Sequence, residues 1–457
     1  MPPNPSLWLR LSRGIKSSLA LVQEGSFRTT GVGRHVIRQA PTGRRFFVYT
    51  LREPELIREV LVARAADFPK SRLMRAMLQE LIGSSVFVEN GETWRWRRAI
   101  VDQALEQARV REVMARMREA ADALIARLDA RIGEAASTIT PVDRETTHFA
   151  ADVIFRTLFS EPIGDDDARH VIEAFERYQE LAYAHAMLSM AKIPLDLFPS
   201  AWRRRRSAKS IRTALSRPVR RRLDALAQGR EAPTTDILAS LIACADPETG
   251  RRFGEVELLD EVAMLFLAGH ETSASALGWA LYLLAITPEV QAEALAEVRR
   301  VLGDRAPEFA DMKALTLVRN VFREALRLYP PVAQIGRDTV HSEQLGDQGI
   351  DPAAVVFCPA WIMHRQPRFW AEPDAFDPGR FETEAGKAAA RDAYFPFSMG
   401  PRVCPGAAFA LQEATLALAM LVRQFEFLPV EGRAPEPVGR LTLRSQNGVV
   451  LEVRRRG

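Results

Sequence analysis

The sequence predicts a mainly α-helical fold, one large helical domain over residues 1–457 with small peripheral β-sheets, and three observations carry that prediction. Apolar residues recur at helical spacing from about Glu53 to Gln424, most plainly in the Ala-, Leu-, Arg- and Glu-rich stretches Val110–Ile132 and Pro288–Leu302. Strand-like runs are short and lie mostly near the two ends. No internal repeat and no long Gly/Ser/Pro linker interrupts the chain, so the length prior of ~150 residues per domain, which suggests about three, gives way to a single unit.

Composition narrows the class. Hydrophobic residues make up 47% and charged residues 26%, enough apolar material for a sizeable core and too much for global disorder. The 26 Gly and 28 Pro follow no period and there are only 3 Cys, which excludes collagen-like and disulfide-scaffold chains and implies reduced thiols. Net charge is 62 − 58 = +4, a mild excess that fits local basic patches and acidic partners, and not a nucleic-acid-binding protein.

In chain order, residues 1–30 read as an N-terminal extension. Arg10, Arg13 and Lys16 stand among serines with no acid before Glu24, a pattern resembling an organelle transit peptide, but the default reading is cytoplasmic. His35–Ala40 and Arg44–Thr50 flank Thr42-Gly43 as two strands, and Ala354–Phe357 reads as a third. The basic runs Arg203–Arg206 and Arg220–Arg222 read as a solvated helix face, or at most a membrane-surface contact. Glu255–Ile286 forms one helix of about 48 Å at 1.5 Å per residue. Its centre, Gly269-His270-Glu271-Thr272-Ser273, is polar, and the uncharged stretch Thr272–Pro288 carries too many hydroxyls for a transmembrane span of about 20 apolar residues. Thr287 and Pro288 open the next helix as N-cap and first position, and Gly303 closes it after Arg299 and Arg300. The helix carrying Arg319–Leu328 stops at Pro330-Pro331, and Leu441–Gln446 and Leu451 face each other across Asn447-Gly448 as a hairpin.

The strongest chemical signal is Phe395–Ala410. A Gly- and Pro-rich loop leads into an apolar helix from about Pro405 to Val422, with Pro405 at the first helical position and Cys404 at the N-cap. The amides of Gly406 and Ala407 and the positive helix end then favour a thiolate and lower the Cys404 pKa, while Gly400 and Gly406 permit close approach of something flat. Cys244 and Cys358 lack such a loop and read as inert core thiols.

These residues resemble a known family. Phe397-x-x-Gly400-x-Arg402-x-Cys404-x-Gly406 is similar to the haem-binding signature of the cytochrome P-450 monooxygenases, soluble bacterial type. Four further segments match in order: Trp94 to Arg98 resembles the W-x-x-x-R helix, Ala268-Gly269-His270-Glu271-Thr272 the oxygen-activating motif, Glu324 to Arg327 the E-x-x-R helix, and Asp377 to Phe381 the P-x-R-F element. The likeness runs from about residue 30 to the C-terminus.

The resemblance implies the cytochrome P-450 fold, haem b (iron protoporphyrin IX) held by Cys404, and dioxygen as co-substrate. A thiolate ligand pushes electron density onto iron and favours O–O cleavage. Phe397 would shield the sulfur; Trp94, Arg98, Arg337 and Arg402 would hold the haem propionates; and Glu324, Arg327 and Arg380 would form a structural network. Ala268 and Gly269 would leave room beside the central helix, Thr272 would bond back to the Ala268 carbonyl, and Glu271 with Thr272 would deliver protons to bound dioxygen. His270 reads as lining or packing, with no metal or base role. The implied pocket draws on Met74–Phe87, Tyr178–Met190, Val332–Ile335 and Gln446-Asn447, with Phe87, Val332, Ala333 and Ile335 as its lining, and suits a lipophilic small molecule.

No flavin or iron–sulfur motif is present, so electrons from NAD(P)H would arrive through a separate ferredoxin or flavoprotein reductase with an acidic docking face, met by Arg95 and Arg97 of a monomeric enzyme. The competing readings are a haem-thiolate peroxygenase or isomerase, and a non-catalytic haem-based carrier or sensor.

Overall fold

The first described strands pair as a hairpin, β1 (Val32–Arg38) antiparallel to β2 (Arg45–Leu51), as the sequence predicts. The computed structural model describes residues 31–38, 45–106, 113–190, 199–230 and 236–456. The N-terminal extension, Thr42-Gly43, residues 110–112 and the side chains of 183–190 lie outside what is described.

Helices then follow: α1 (Pro54–Arg58), α2 (Arg72–Ile82), α3 (Gly91–Ala104) and α4 (Met114–Ile132), then strand β3 (Ser137–Pro141). Next come α5 (Val142–Phe159), α6 (Asp165–Met190), α7 (Pro199–Ala227), α8 (Ile237–Ala243), the central helix α9 (Glu255–Ile286), α10 (Pro288–Leu302) and α11 (Thr316–Leu328). Strands β4 (Ile335–Asp338), β5 (Glu343–Leu345), β6 (Gln348–Ile350) and β7 (Val355–Cys358) precede α12 (Ala360–Met363), α13 (Glu384–Ala393) and α14 (Ala407–Gln424). The chain ends in β8 (Phe425–Pro429), β9 (Pro437–Gly439), β10 (Leu443–Ser445) and β11 (Val450–Arg455).

Helix α9 is apolar on nearly every face and is buried from Leu258 to Ala285 apart from a few positions, so it runs through the core instead of over it. Its first turn is capped by Glu257, whose carboxylate accepts the Gly254 N–H at 3.1 Å. One large apolar cluster gathers α9 with α4, α5, α11 and α14. A second forms around the four-stranded sheet ordered β1-β2-β7-β4, in which β7 is parallel to β2 and antiparallel to β4. The cysteine loop lies in sequence between α13, whose Ala389 and Ala393 belong to the second cluster, and α14 of the first.

The C-terminal hairpin is a correction. β10 pairs with β9, while β11 pairs with β3 and β8. Asn447 explains the change: its side chain accepts the Glu436 N–H at 2.9 Å and donates to the Ala434 carbonyl at 2.9 Å, tying the turn back to the approach to β9. Gly448, at φ 78°, then swings the chain away into the other sheet. The basic runs are not wholly solvated either. Arg204 is buried against Glu80 at 2.7 Å and Arg222 against Asp236 at 2.7 Å, so both pin α7 to neighbouring segments. Among the described residues no helix is long and apolar enough to cross a membrane.

Candidate functional site

Cys404 lies at the end of a tight loop rather than at a helix N-cap. Helix α14 begins at Ala407 with Gly406 as its N-cap, two residues later than the sequence suggests, because Gly400–Arg402 first forms a separate 3₁₀ turn. The Cys404 N–H donates to the Phe397 carbonyl at 2.9 Å, closing the loop on itself. Gly400 sits at φ 73°, and a Cβ there would stand 2.3 Å from the Leu61 carbonyl oxygen. Its glycine therefore answers to protein backbone and not to a flat ligand. Gly406 differs, since a Cβ would meet only the Cys404 sulfur, at 3.9 Å.

Cys404 is exposed to solvent even though protein atoms surround it closely, whereas Cys358 is buried and Cys244 half-buried. Accessibility tells whether a ligand can touch the sulfur; the surrounding mass sets its dielectric. That mass pushes the thiol above its ordinary value, against the Gly406 N–H and the Arg98 charge, which both favour the thiolate. The expected lowering is thus present in its parts and outweighed by burial in the protein alone.

Along the otherwise buried middle of α9, the incompletely buried positions are Leu265, Ala268, Gly269 and Thr272, spaced by three, one and three residues on one helical face. The Thr272 hydroxyl donates to the Ala268 carbonyl at 2.7 Å, and the helix continues through this bond without interruption. Gly269 has a structural reason for its size: an added Cβ would stand 2.4 Å from Cδ1 of Ile154 on α5. Ala268, not Gly269, is the position left small toward the open face.

Glu271 does not share that face. It is buried, accepts from Arg444 at 2.9 Å, from Thr442 at 2.6 Å and from Gln179 at 2.9 Å, and so joins α9 to β10 and α6. Burial alone would raise its carboxyl, but the charge and hydrogen bonds of Arg444, helped by His270 and Thr442, hold it at about 2. Glu271 is consequently an ionised anchor, which corrects its expected role as proton donor. His270 packs between Phe175 and Phe266, with Nδ1 at 2.8 Å from the Phe266 carbonyl.

Sequence reasoning missed a second carboxyl. Glu413 of α14 is fully buried, accepts one bond from Ser273 Oγ at 3.0 Å, and leaves its other oxygen without a partner. Burial pushes it up to about 8 despite Ser273, so it is mostly protonated at neutral pH. The signal was a single acid inside the apolar run Ala407–Val422. Because its folded value lies above the ordinary one, the stability it contributes is present below the usual carboxylate range and is lost as pH rises through about 8. Glu413→Gln should flatten that dependence: melting temperature measured from pH 5 to 9 falls less steeply in the variant than in the wild type.

The cationic residues cluster. Arg337 on β4 is buried, donates to the Gly336 carbonyl at 3.0 Å, keeps Nε without a partner, and is pushed down to about 10 by burial. Arg402 donates to the carbonyls of Ala65 and Phe68 at 2.7 and 2.8 Å and lies 5.5 Å from the Trp94 ring. Arg98 bonds Asp102 at 2.7 Å and the Val403 carbonyl at 2.7 Å, reaching the cysteine loop directly. Arg97, expected on a docking patch beside Arg95, is instead buried against Glu261 at 2.8 Å, on the opposite side of α3 from exposed Arg95. Phe397 is half-buried against the large cluster.

The expected pocket residues do not share one apolar cluster. Phe87 packs against the large helical cluster, Val332 and Ile335 belong with the sheet cluster, and Ala333 packs with Trp361 and Leu443.

Glu324, Arg327 and Arg380 meet in full burial. Arg327 forks onto both Glu324 oxygens at 2.8 Å, Arg380 reaches Glu324 at 2.8 Å, and both arginines finish on backbone carbonyls of residues 364–375.

An accessible thiol beside a helix start, a small helical face and a cluster of under-compensated guanidinium groups fit a flat, iron-bearing dicarboxylate. They fit haem. Residues 42–452 match the family described as Cytochrome P450. The chain is 32% identical over 401 residues to cyclooctatin synthase of Streptomyces melanosporofaciens, covering 87% of this chain and 84% of that protein. It is 30% identical over 396 residues to cyclooctat-9-en-7-ol 5-monooxygenase of the same organism, covering 84% and 81%. It is 29% identical over 422 residues to cytokinin hydroxylase of Arabidopsis thaliana, covering 90% and 80%. Its fold superposes on the crystal structure of the cytochrome P450DA heme domain with a TM-score of 0.80 at 25% identity, covering 93% of this chain and 90% of that one. The chain belongs to the cytochrome P450 family and is a haem monooxygenase.

Proposed function

We propose that this monooxygenase oxidises a lipophilic small molecule, with Cys404 as iron ligand and electrons supplied from NAD(P)H through a separate ferredoxin or flavoprotein. The observation that carries the reading is the accessible Cys404 sulfur receiving the Gly406 amide within reach of Arg98. Bound there, haem supplies reductive activation of dioxygen, and the thiolate makes O–O cleavage favourable. The chain's residues do the rest. Trp94, Arg337 and Arg402 orient the carboxylate edge, and Ala268 leaves the α9 backbone accessible. The Thr272 hydroxyl donates its own proton to the Ala268 carbonyl, which fixes Oγ1 as an acceptor on the open face, where it orients a proton donor such as water for transfer. Glu271, held by Arg444, positions the helix without giving up a proton.

The lipophilic assignment is supported by the apolar, incompletely buried Leu265 on the open face of α9 and by one relative whose named substrate, cyclooctat-9-en-7-ol, is an unsaturated alcohol. A basic docking surface for the electron donor retains Arg95 and loses Arg97.

The test is the reduced, carbon monoxide-bound absorption spectrum, which should show the red-shifted band of thiolate ligation, followed by apolar ligands scored for spin-state shift. In Thr272→Ala, product formation should slow by about 10²-fold, the low end for loss of a positioned proton-transfer group, while reductant continues to be consumed. Unchanged coupling of reductant to product would favour peroxygenase or isomerase chemistry instead.

A further inference from the structure

Several aromatic rings that belong to no motif line up from the open face of α9 to the surface. Trp279 stands seven residues beyond Thr272 and eleven beyond Ala268, on the same face of α9 and about 10 Å further along its axis than Thr272. Its indole is 1% exposed and stacks on the Tyr329 ring, 3.8 Å between centres and 4° between planes. Tyr329 is the C-cap of α11 and runs directly into Pro330-Pro331 and Val332. Trp279 also meets Tyr282 edge to face at 6.1 Å. Tyr282 is half-buried, so the row of rings reaches solvent there.

Indole and phenol rings give up an electron more readily than the aliphatic and carbonyl groups around them, and rings in contact pass it on without breaking a bond. Stacking spreads the resulting positive charge over two rings. A branch leads from Tyr329 to Trp361 of α12 at 6.2 Å. Charge closes that branch. The Arg365 guanidinium lies 3.7 Å from the Trp361 ring centre and 5.5 Å from that of Tyr329, so an electron leaving Trp361 would place positive charge against a buried cation. Among the described residues no cation stands over Trp279 or Tyr282, and the positive charge is driven toward them.

We propose that the stacked pair Trp279 and Tyr329, together with Tyr282, forms an electron path that refills the oxygen-activating site from the surface when reductant is spent without product. The proposal rests on the haem reading above. The oxidant is hydrogen peroxide, which an enzyme that reduces dioxygen releases in such cycles. Peroxide takes two electrons from the haem centre; Tyr282 returns one of them through Trp279 and gives its phenol proton to water, becoming a neutral radical. A soluble thiol restores it with one electron and one proton. Without this path the same oxidising equivalent stays at the site and attacks the haem and neighbouring cysteine and methionine sulfur.

Ferric holoenzyme is mixed with hydrogen peroxide, freeze-quenched and read by electron paramagnetic resonance, with ring-deuterated tyrosine separating tyrosyl from tryptophanyl signals. Haem bleaching is followed in parallel by absorbance. The wild type should show a tyrosyl radical whose spectrum is lost in Tyr282→Phe. Trp279→Phe keeps an aromatic ring in the stack, but one far harder to oxidise; there the Tyr282 radical should fall several-fold and bleaching should quicken several-fold.

Rings that serve packing alone are indifferent to both changes. A wild type without a protein radical, or a radical signal unchanged in either variant, overturns the proposal. If Trp279→Phe fails to hold haem, Tyr282→Phe alone decides, by loss or persistence of its signal. A wild type that binds no haem overturns the haem assignment instead, and does so before any peroxide is added.

Discussion

Cys404→Ser should leave a folded protein that has lost the thiolate-type band of the carbon monoxide complex and all detectable oxygenation. The separation of fold from function follows from the position of the sulfur. Cys404 is accessible, and its partner is the Gly406 amide at the start of α14, so no core packing depends on it. A substitution of that kind ordinarily changes stability by about 0.5 kcal/mol or less. The chemistry is another matter. The Gly406 N–H and the Arg98 charge favour the anion without overcoming burial, and a thiol, unlike a hydroxyl, ionises close enough to neutral pH for iron to displace its proton. A serine hydroxyl does not, and the same two groups cannot supply the difference. Circular dichroism and melting should therefore match the wild type while spectrum and turnover do not. Cys244→Ser supplies the control, since Cys244 lies outside the loop and should retain both. A Cys404→Ser protein that kept the red-shifted band would remove the ligand assignment altogether.

What could be read from the sequence was whatever is local. The central helix was legible with its bounds because the greasy run Glu255–Ile286, stopped at Thr287-Pro288, specifies itself within consecutive residues. The Thr272 bond to the Ala268 carbonyl is also local, four residues apart. Illegible were outcomes decided by segments far away in the chain. Glu271 appeared available for proton transfer because Arg444, 173 residues later, leaves no trace in the neighbourhood of Glu271. Arg95 and Arg97 looked alike until Glu261 claimed one of them. The Asn447-Gly448 dipeptide gave a sound turn signal, but β10 pairs with β9 while β11 enters a sheet between β8 and β3, the latter more than 300 residues earlier.

Glu324→Gln should destabilise the chain severely and lower its haem content, although Glu324 touches no reactant. Both Glu324 and Arg327 have side chains with 0% exposure, and Arg380 shares the same carboxylate. Glutamine keeps the shape but removes the charge, so two buried guanidinium ions lose their counterion, a change that typically costs about 3–5 kcal/mol. Against a net stability of about 5–15 kcal/mol for a folded domain, that is a large share. The damage also has a route to the site. Arg327 donates to the His364 carbonyl at 2.8 Å, and the His364 ring accepts the Phe395 N–H at 3.0 Å, at the entry to the cysteine loop. Burial, then the charges of Arg327 and Arg365, hold His364 at about 3, so its ring is neutral and free to accept there. Loosening Arg327 thus loosens the loop that presents Cys404, and haem retention should fall together with the denaturation midpoint. An exposed pair on α13 gives the contrast: Lys387 and Glu384 also stand three apart at 3.0 Å, but water already solvates both, and Glu384→Gln should leave midpoint and haem content unchanged. Equal midpoints for the two variants would show that the buried trio contributes no more than a surface pair, and its assignment as the scaffold of the haem loop would fail.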